Sequence, residues 1–141
     1  MYNVTPLIGF NNIKFGMTKD NIHKILGDPT TTYKKTKNSL NNAEFYKDMH
    51  LYYDKDNTLE AVEFYDISKV KDIKNNIIFK KGMKISELKK YNFSEDDFID
   101  ISLSIGITVN DDIIDGILFG KKGYYGIQEM GIFENVFFLN E

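Results

Sequence analysis

The strongest constraint on the fold is an alternation of apolar and polar residues in the first half of the chain. Three consecutive segments alternate in this way, at residues 43–48, 49–54 and 59–65. Successive side chains of a β-strand point to opposite faces of the sheet, so this period of two predicts three strands that share one buried face. The polar cluster at 54–58 is typical of a tight turn, which makes the last two strands an antiparallel hairpin.

A short amphipathic helix is predicted before these strands, over residues 18–26. Thr18 is a suitable N-cap residue, and Ile22, Ile25 and Leu26 recur at helical spacing. The Gly-x-Pro sequence that follows is typical of a helix end.

The same order of segments recurs later in the chain. Gly16-Met17 returns as Gly82-Met83, in each case between a short strand and a helical pattern, and the strand at 59–64 has a counterpart at 114–119. We therefore predict an α+β fold: two tandem helix-plus-antiparallel-sheet repeats with the helices packed on one sheet face. The expected organisation is a single compact domain over 1–141, with repeat one at about 1–66, repeat two at about 77–120 and a C-terminal hairpin at 121–141.

Residues 15–29 read Phe-Gly-Met-Thr-Lys-Asp-Asn-Ile-His-Lys-Ile-Leu-Gly-Asp-Pro. This resembles the Gly-Met-Thr…Leu-Gly-x-Pro signature of the superfamily that contains the β-lactamase inhibitor proteins and the small outer-membrane assembly lipoproteins. The resemblance covers 13–65, and over 77–120 it is weak because Leu-Gly-x-Pro is missing. The inhibitor branch implies a tandem pair of helix-plus-sheet units, whereas the lipoprotein branch implies a lipidated cysteine after a signal peptide. The signature residues build a helix and its ends, so no functional residue is carried over.

The composition excludes several classes of chemistry. The sequence has no cysteine, which excludes disulfides, cysteine zinc sites and thiol catalysis. All 18 basic residues are lysine, so there is no guanidinium group for bidentate reading of phosphate or guanine. With a formal net charge of -3, this argues against a nucleic-acid partner. The sequence shows no apolar run of about eighteen residues and no secretory leader, so we expect a cytoplasmic protein without a membrane partner.

The sequence shows no motif typical of an enzyme, and we expect no catalytic residue, no metal and no cofactor. The two histidines, His23 and His50, have no serine in a nucleophile-elbow context. The acidic runs at 95–97 and 111–112 have the residue types of a metal site or of a glycosidase pair. A solvated acidic surface is the simpler interpretation of such runs.

Charge is segregated along the chain. Residues 44–66 hold seven acids and two lysines, residues 69–90 hold eight lysines and two acids, and residues 94–115 hold seven acids and no lysine. Strand alternation turns the apolar members of the first block towards the helix. These members are Phe45, Met49, Leu51, Tyr53, Val62 and Phe64.

The alternate positions of that block predict an acidic, tyrosine-rich sheet face that binds a partner. Its residues are Glu44, Tyr46, Asp48, His50, Tyr52, Glu63 and Tyr65. Tyrosines offer contact area and carboxylates steer a basic partner. An ordinary solvated sheet face would carry a similar pattern, because tyrosine favours strands in any case.

Three functional hypotheses follow. The first is a non-catalytic protein of inhibitor or immunity type that neutralises a basic protein partner, such as a nuclease toxin, through this face. The second is a scaffold module of the cell envelope, and the third is an enzyme with an acidic pocket that would lose turnover on substitution of Asp96 or Asp111. The sequence does not indicate an oligomeric state.

Overall fold

Strands dominate the computed structural model, which describes residues 1–34 and 42–124. The strands of the described residues are β1 (Tyr2–Thr5), β2 (Gly9–Phe10), β3 (Ile13–Lys14), β4 (Thr31–Lys34), β5 (Asn42–Phe45), β6 (Met49–Tyr53), β7 (Leu59–Phe64), β8 (Val70–Asp72), β9 (Ile77–Ile78), β10 (Ile99–Asp100), β11 (Ile105–Asn110) and β12 (Ile113–Gly120). The helical elements are α1 (Lys19–Leu26) and two 3-10 helices, Ile67–Lys69 and Ile85–Glu87.

The strands form two sheets. The large sheet is antiparallel throughout, with seven strands in the order β10-β11-β12-β7-β6-β5-β4. The small sheet has five strands in the order β3-β2-β1-β8-β9, in which β1 and β8 pair in parallel. The pairing of β7 with β12 joins the strands of both halves of the chain into one sheet.

The predicted α+β fold with two tandem helix-plus-antiparallel-sheet repeats is wrong, because the chain is mostly β. Residues 1–34 and 42–124 contain a single α-helix, α1. The segment after Gly82-Met83 forms only the three-residue 3-10 helix Ile85–Glu87, with Leu88 and Tyr91 of the following chain buried in the core. The apolar spacing in this segment therefore reflects core contacts of an irregular chain and not one face of a helix.

The two helix starts differ in their capping residues. Thr18 precedes α1, and its hydroxyl accepts a hydrogen bond from the Asn21 amide at 3.3 Å. Lys84 occupies the equivalent position before Ile85–Glu87, and an ammonium group has no acceptor for a backbone amide. The Glu87 carboxylate accepts from the Lys84 amide at 2.8 Å, but Lys84 has no acceptor for the amides of the first turn, and this incomplete capping favours the short 3-10 helix at the second position.

The two Gly-Met segments make the same backbone contact in spite of this difference. The amide of Leu59, the first residue of β7, donates to the carbonyl of Met17, and the Ile114 amide in β12 donates to the carbonyl of Met83, both at 2.9 Å. Each segment thus runs beside the start of a central strand of the large sheet. The repeat boundaries stay a prediction, and most of the C-terminal hairpin expected at 121–141 lies outside the described residues.

One core cluster contains residues of both sheets and of α1. Phe64 of β7 lies at its centre, with ring centroids 5.7 Å from Phe10 and 6.3 Å from Phe119, both in edge-to-face geometry. A second cluster of buried residues includes Tyr52, Leu118 and Ile99 on the opposite face of the large sheet. The large sheet is therefore buried on both faces.

No helix of the described residues is long and apolar enough to cross a membrane.

Candidate functional site

The predicted binding face is not a single surface, because the turn between β5 and β6 shifts the alternation. Cross-strand partners share a face, and Phe45 pairs with His50, which pairs with Glu63. Glu44 instead pairs with Leu51 on the core face. The structure thus places Phe45 on the face opposite to the core and Glu44 on the core side, the reverse of the prediction for both residues.

Four of the seven predicted site residues form one hydrogen-bonded group, which we call the tyrosine–carboxylate cluster. It consists of His50, Tyr52, Glu63 and Tyr65. The hydroxyls of Tyr52 and Tyr65 donate to Oε1 of Glu63 at 2.6 and 2.8 Å. The Tyr65 oxygen also lies 2.6 Å from Nδ1 of His50. This contact joins the imidazole to the two tyrosines and Glu63.

Burial sets the protonation states in this cluster. Burial lowers the pKa of His50 to about 3, so the imidazole is neutral at neutral pH. Burial and the neighbouring Glu63 carboxylate raise the pKa of Tyr52, which keeps its hydroxyl protonated as a donor. Glu63 and Tyr52 are each 2% exposed, whereas Tyr65 is 44% exposed. The Glu63 carboxyl group is therefore held inside the protein by two hydroxyl donors and does not face solvent.

The other three predicted site residues, Glu44, Tyr46 and Asp48, form hydrogen bonds outside the tyrosine–carboxylate cluster. Both carboxylate oxygens of Glu44 lie within 2.9 Å of Nε2 of His23 on α1. The Tyr46 hydroxyl donates to the carbonyl of Gly27 at 2.9 Å, and burial together with Glu44 and Asp28 raises its pKa to about 12. These contacts tie β5 and the turn after it to α1.

Asp48 is held at the small sheet. Its carboxylate accepts hydrogen bonds from Nζ of Lys69 at 2.9 Å and from the Tyr2 hydroxyl at 3.2 Å. The hydrogen bond from Lys69 holds the pKa of this carboxyl below its usual range. The structure thus brings together His50, Tyr52, Glu63 and Tyr65 and separates Glu44, Tyr46 and Asp48 from them.

A larger group of exposed acids lies elsewhere, on two segments that β11 connects, 95–97 and 111–115, and we call this group the acidic edge. It consists of six exposed carboxylates, Glu95, Asp96, Asp97, Asp111, Asp112 and Asp115. The carbonyl of Phe98 accepts from the Ile107 amide at 3.1 Å, which places the chain before β10 alongside β11. β11 leads directly into the turn that contains Asp111 and Asp112. None of the ion pairs within the described ranges includes any of these six side chains.

The seventh acid of that block has a different role. Asp100 is 2% exposed, and its carboxylate accepts from the Asn92 amide, the Ser102 hydroxyl and the Leu103 amide at 2.7–3.1 Å. Two apolar side chains at the two ends of β11 are exposed, Ile101 at 68% before its start and Ile113 at 38% after its end. The sequence does not predict that these two isoleucines are exposed, because both lie outside the segments whose alternation assigns residues to a surface.

Within residues 1–34 and 42–124, no group of three histidine or acidic side chains is arranged to hold a metal ion. A scan against protein-family models, a search of curated proteins and a search of solved structures each found no match to this chain. The resemblance of residues 15–29 to the inhibitor and lipoprotein superfamily therefore stays a prediction, and the functional argument rests on the geometry of the site.

Proposed function

We propose that the protein is a non-catalytic binding module of inhibitor or immunity type, and that its acidic edge engages a basic region of a partner protein. The observation that carries the proposal is the set of six exposed carboxylates of the acidic edge, which form no ion pair with the other described residues. Exposed charges of one sign accelerate encounter with a partner of the opposite sign.

The acidic edge replaces the predicted sheet face for a physical reason. Glu44 and Glu63 are each 2% exposed and hydrogen-bonded to His23 and to two tyrosines, so their charges contribute little to the field outside the protein. Tyr65 is the member of the tyrosine–carboxylate cluster that offers contact area to a partner.

The acidic edge also offers apolar area. Ile113 directly follows Asp112, and Ile101 follows the buried Asp100. An interface gains most of its affinity from a few desolvated apolar or aromatic contacts, while the surrounding charges set orientation and association rate. Ile113 supplies such a contact beside Asp112.

The test compares an edge variant with a matched control. The edge variant carries Asp97→Lys and Asp112→Asn, because Asp112 has φ 67° and asparagine tolerates that backbone conformation better than lysine. The control carries Asp56→Lys and Asp28→Asn, which change the net charge equally at exposed positions away from the edge. Each protein is used as bait in a lysate of the native host, and the captured partner is purified for binding kinetics.

We expect wild type and control to capture the same basic protein. The edge variant should associate with it at least about tenfold more slowly at low salt, and its rate should depend less on salt. Equal association rates for the edge variant and wild type, or capture of an acidic partner by both, would contradict the proposal.

A further inference from the structure

The small sheet has an outer face that carries lysine and isoleucine side chains. Cross-strand pairing aligns Asn3, Lys71 and Ile78 in one row, and Thr5, Gly9 and Lys14 in the next. The alternate residues of these strands, such as Val4 and Phe10, are buried in the core. We call this surface the lysine–isoleucine face, and it also includes Ile8 and Ile73, each about half exposed.

A groove crosses this face. Its volume is about 300 Å³, and its lining includes Ile8, Ile73, Asn3, Thr5 and Lys14. Gly9 shapes its floor: a Cβ at this position would lie 2.1 Å from the carbonyl oxygen of Ile13, so a side chain cannot occupy the hairpin there. The groove thus has apolar walls, a polar floor and a lysine at its rim.

The charges around the groove are positive. Lys14 and Lys71 lie on the face itself, and Lys74 and Lys80 follow within two residues of Ile73 and Ile78. Asp72, the acid nearest in sequence, is fully buried on the inner side of β8. None of the ion pairs in the described part of the chain includes any of these four lysines. A positive, partly apolar face on a protein of net charge -3 fits an acidic partner surface.

We propose that the lysine–isoleucine face binds the acidic edge of a second copy of this chain. The acidic edge offers the complementary features: carboxylates without an ion pair among the described residues, and the exposed Ile113 next to Asp112 in a hairpin turn. Ile113 forms a β-bridge with Lys84, and the Asp112 carbonyl accepts from the Ile85 amide at 3.3 Å, so this turn lies beside residues 84–85. The contact is therefore one between two faces, and opposite charges fix its orientation. The inference uses the same acidic edge as the proposed function, and a second copy would compete there with the basic partner.

The contact joins two different surfaces and is therefore head-to-tail. Each pair leaves one lysine–isoleucine face and one acidic edge unoccupied, so association continues beyond a dimer unless the chain of copies closes into a ring. Because the rim contacts are charged and exposed, the association should weaken as salt is added.

The experiment is sedimentation velocity of the full chain at increasing protein concentration, at about 50 mM and about 500 mM salt. The face variant carries Lys14→Glu and Lys71→Glu, and the edge variant is the one described above. The matched control carries Lys47→Glu and Lys55→Glu, in turns of the large sheet. If the face variant does not fold, Lys74→Glu with Lys80→Glu replaces it, since both side chains are exposed.

Wild type and control should show an average mass that rises with concentration at low salt. The face variant and the edge variant should each self-associate at least about tenfold more weakly. An equimolar mixture of the two variants should form a 1:1 complex that grows no further, because it contains one intact lysine–isoleucine face and one intact acidic edge.

Three results would overturn this inference: a wild type that stays monomeric at concentrations up to about 1 mM, a mixture that forms no complex, or a variant that self-associates like wild type. A parallel assay measures co-sedimentation with phosphatidylserine vesicles. Vesicle binding without self-association would show that the face contacts anionic lipid instead. The face variant keeps the acidic edge intact, so partner capture by this variant tests the proposed function without self-association.

Discussion

At the scale of single residues, four buried carboxylates are the polar contacts on which the structure depends most. Glu44, Glu63, Asp72 and Asp100 are each no more than 2% exposed, and each accepts hydrogen bonds from side chains or backbone amides. A buried carboxylate is tolerated only when its oxygens are hydrogen-bonded, so the loss of one donor leaves a large uncompensated cost. His50, beside Glu63, is partly buried and neutral at neutral pH.

The partly buried imidazole of His50 predicts a pH dependence of stability. Burial lowers its pKa to about 3 in the folded protein, below the ordinary 6.5. Between these values the unfolded chain binds the proton more readily, so stability is complete above about pH 6.5 and falls as pH decreases, by up to about 1.4 kcal/mol per pH unit.

Urea denaturation between about pH 7.5 and about pH 4.5 tests this dependence, since most carboxylates remain ionised over that range. The variant His50→Gln should show a flatter dependence, because glutamine does not titrate there. Equal slopes for the variant and wild type would assign the pH dependence to other groups.

The variant Tyr52→Phe should destabilise the protein by about 1–3 kcal/mol, because it removes one donor from the buried Glu63 carboxylate. Tyr65→Phe removes the second hydroxyl donor to Glu63. Because Tyr65 is 44% exposed, a water molecule can take the place of its hydroxyl, and this variant should cost less. Chemical denaturation of both variants checks the order, and a larger loss for Tyr65→Phe would show that Tyr65 is the principal donor.

At the scale of elements, the turns determine which side chains meet. The turn between β5 and β6 sets Phe45 opposite His50, and the backbone amides of the turn between β8 and β9 converge on Asp72. The Asp72 carboxylate accepts from the amides of Lys74 and Asn75 at 3.0 Å, from the Asn75 side chain at 2.8 Å and from the Tyr91 hydroxyl. This single residue thus connects the small sheet to the chain after Ile85–Glu87.

Asp72→Ala should therefore cost about 3–5 kcal/mol, since it leaves several buried donors without an acceptor. Asp72→Asn keeps one oxygen acceptor and should cost less. Asp56→Ala, at an exposed turn position, is the control and should stay within about 0.5 kcal/mol of wild type. A loss for Asp72→Ala as small as that of the control would show that water satisfies these donors.

At the scale of the whole molecule, the β7–β12 pair and the shared core join the two halves of the chain. The strands of the two halves form two blocks of the large sheet that meet where β12 pairs with β7, and Phe64 contacts aromatic rings from the small sheet and from β12. Neither half can bury its central strand without the other, which favours unfolding in a single cooperative step.

We expect circular dichroism and tyrosine fluorescence to report coincident unfolding transitions in denaturant. Phe64→Ala should shift both transitions together and cost about 3–5 kcal/mol, because it opens a cavity between the sheets. Ile25→Ala, at a residue 48% exposed on α1, is the control and should cost less than about 1 kcal/mol. Two separate transitions would show that the halves fold independently.

Some local features of this chain, the first helix and the hairpin that follows it, could be determined from its sequence alone. The pattern over 18–26 predicts a helix, and α1 spans Lys19–Leu26 with Thr18 as its N-cap. The strands β6 and β7 and the turn between them follow from alternation and from the cluster at 54–58. Strand alternation and helix capping depend on neighbouring residues, and this is why the sequence is sufficient for them.

The tertiary structure alone decided the faces, the burial and the fold class. Alternation predicts which side chains share a face within one strand, but not across a turn. Whether Phe45 lies on the same face as His50 therefore depends on the geometry of the turn between β5 and β6. The same residue type is exposed at Asp97 and buried at Asp72, because burial depends on what packs against a residue from distant parts of the chain. Leu88 and Tyr91 likewise have the spacing of one face of a helix. They belong to an irregular segment, and they are buried because that segment packs on the core.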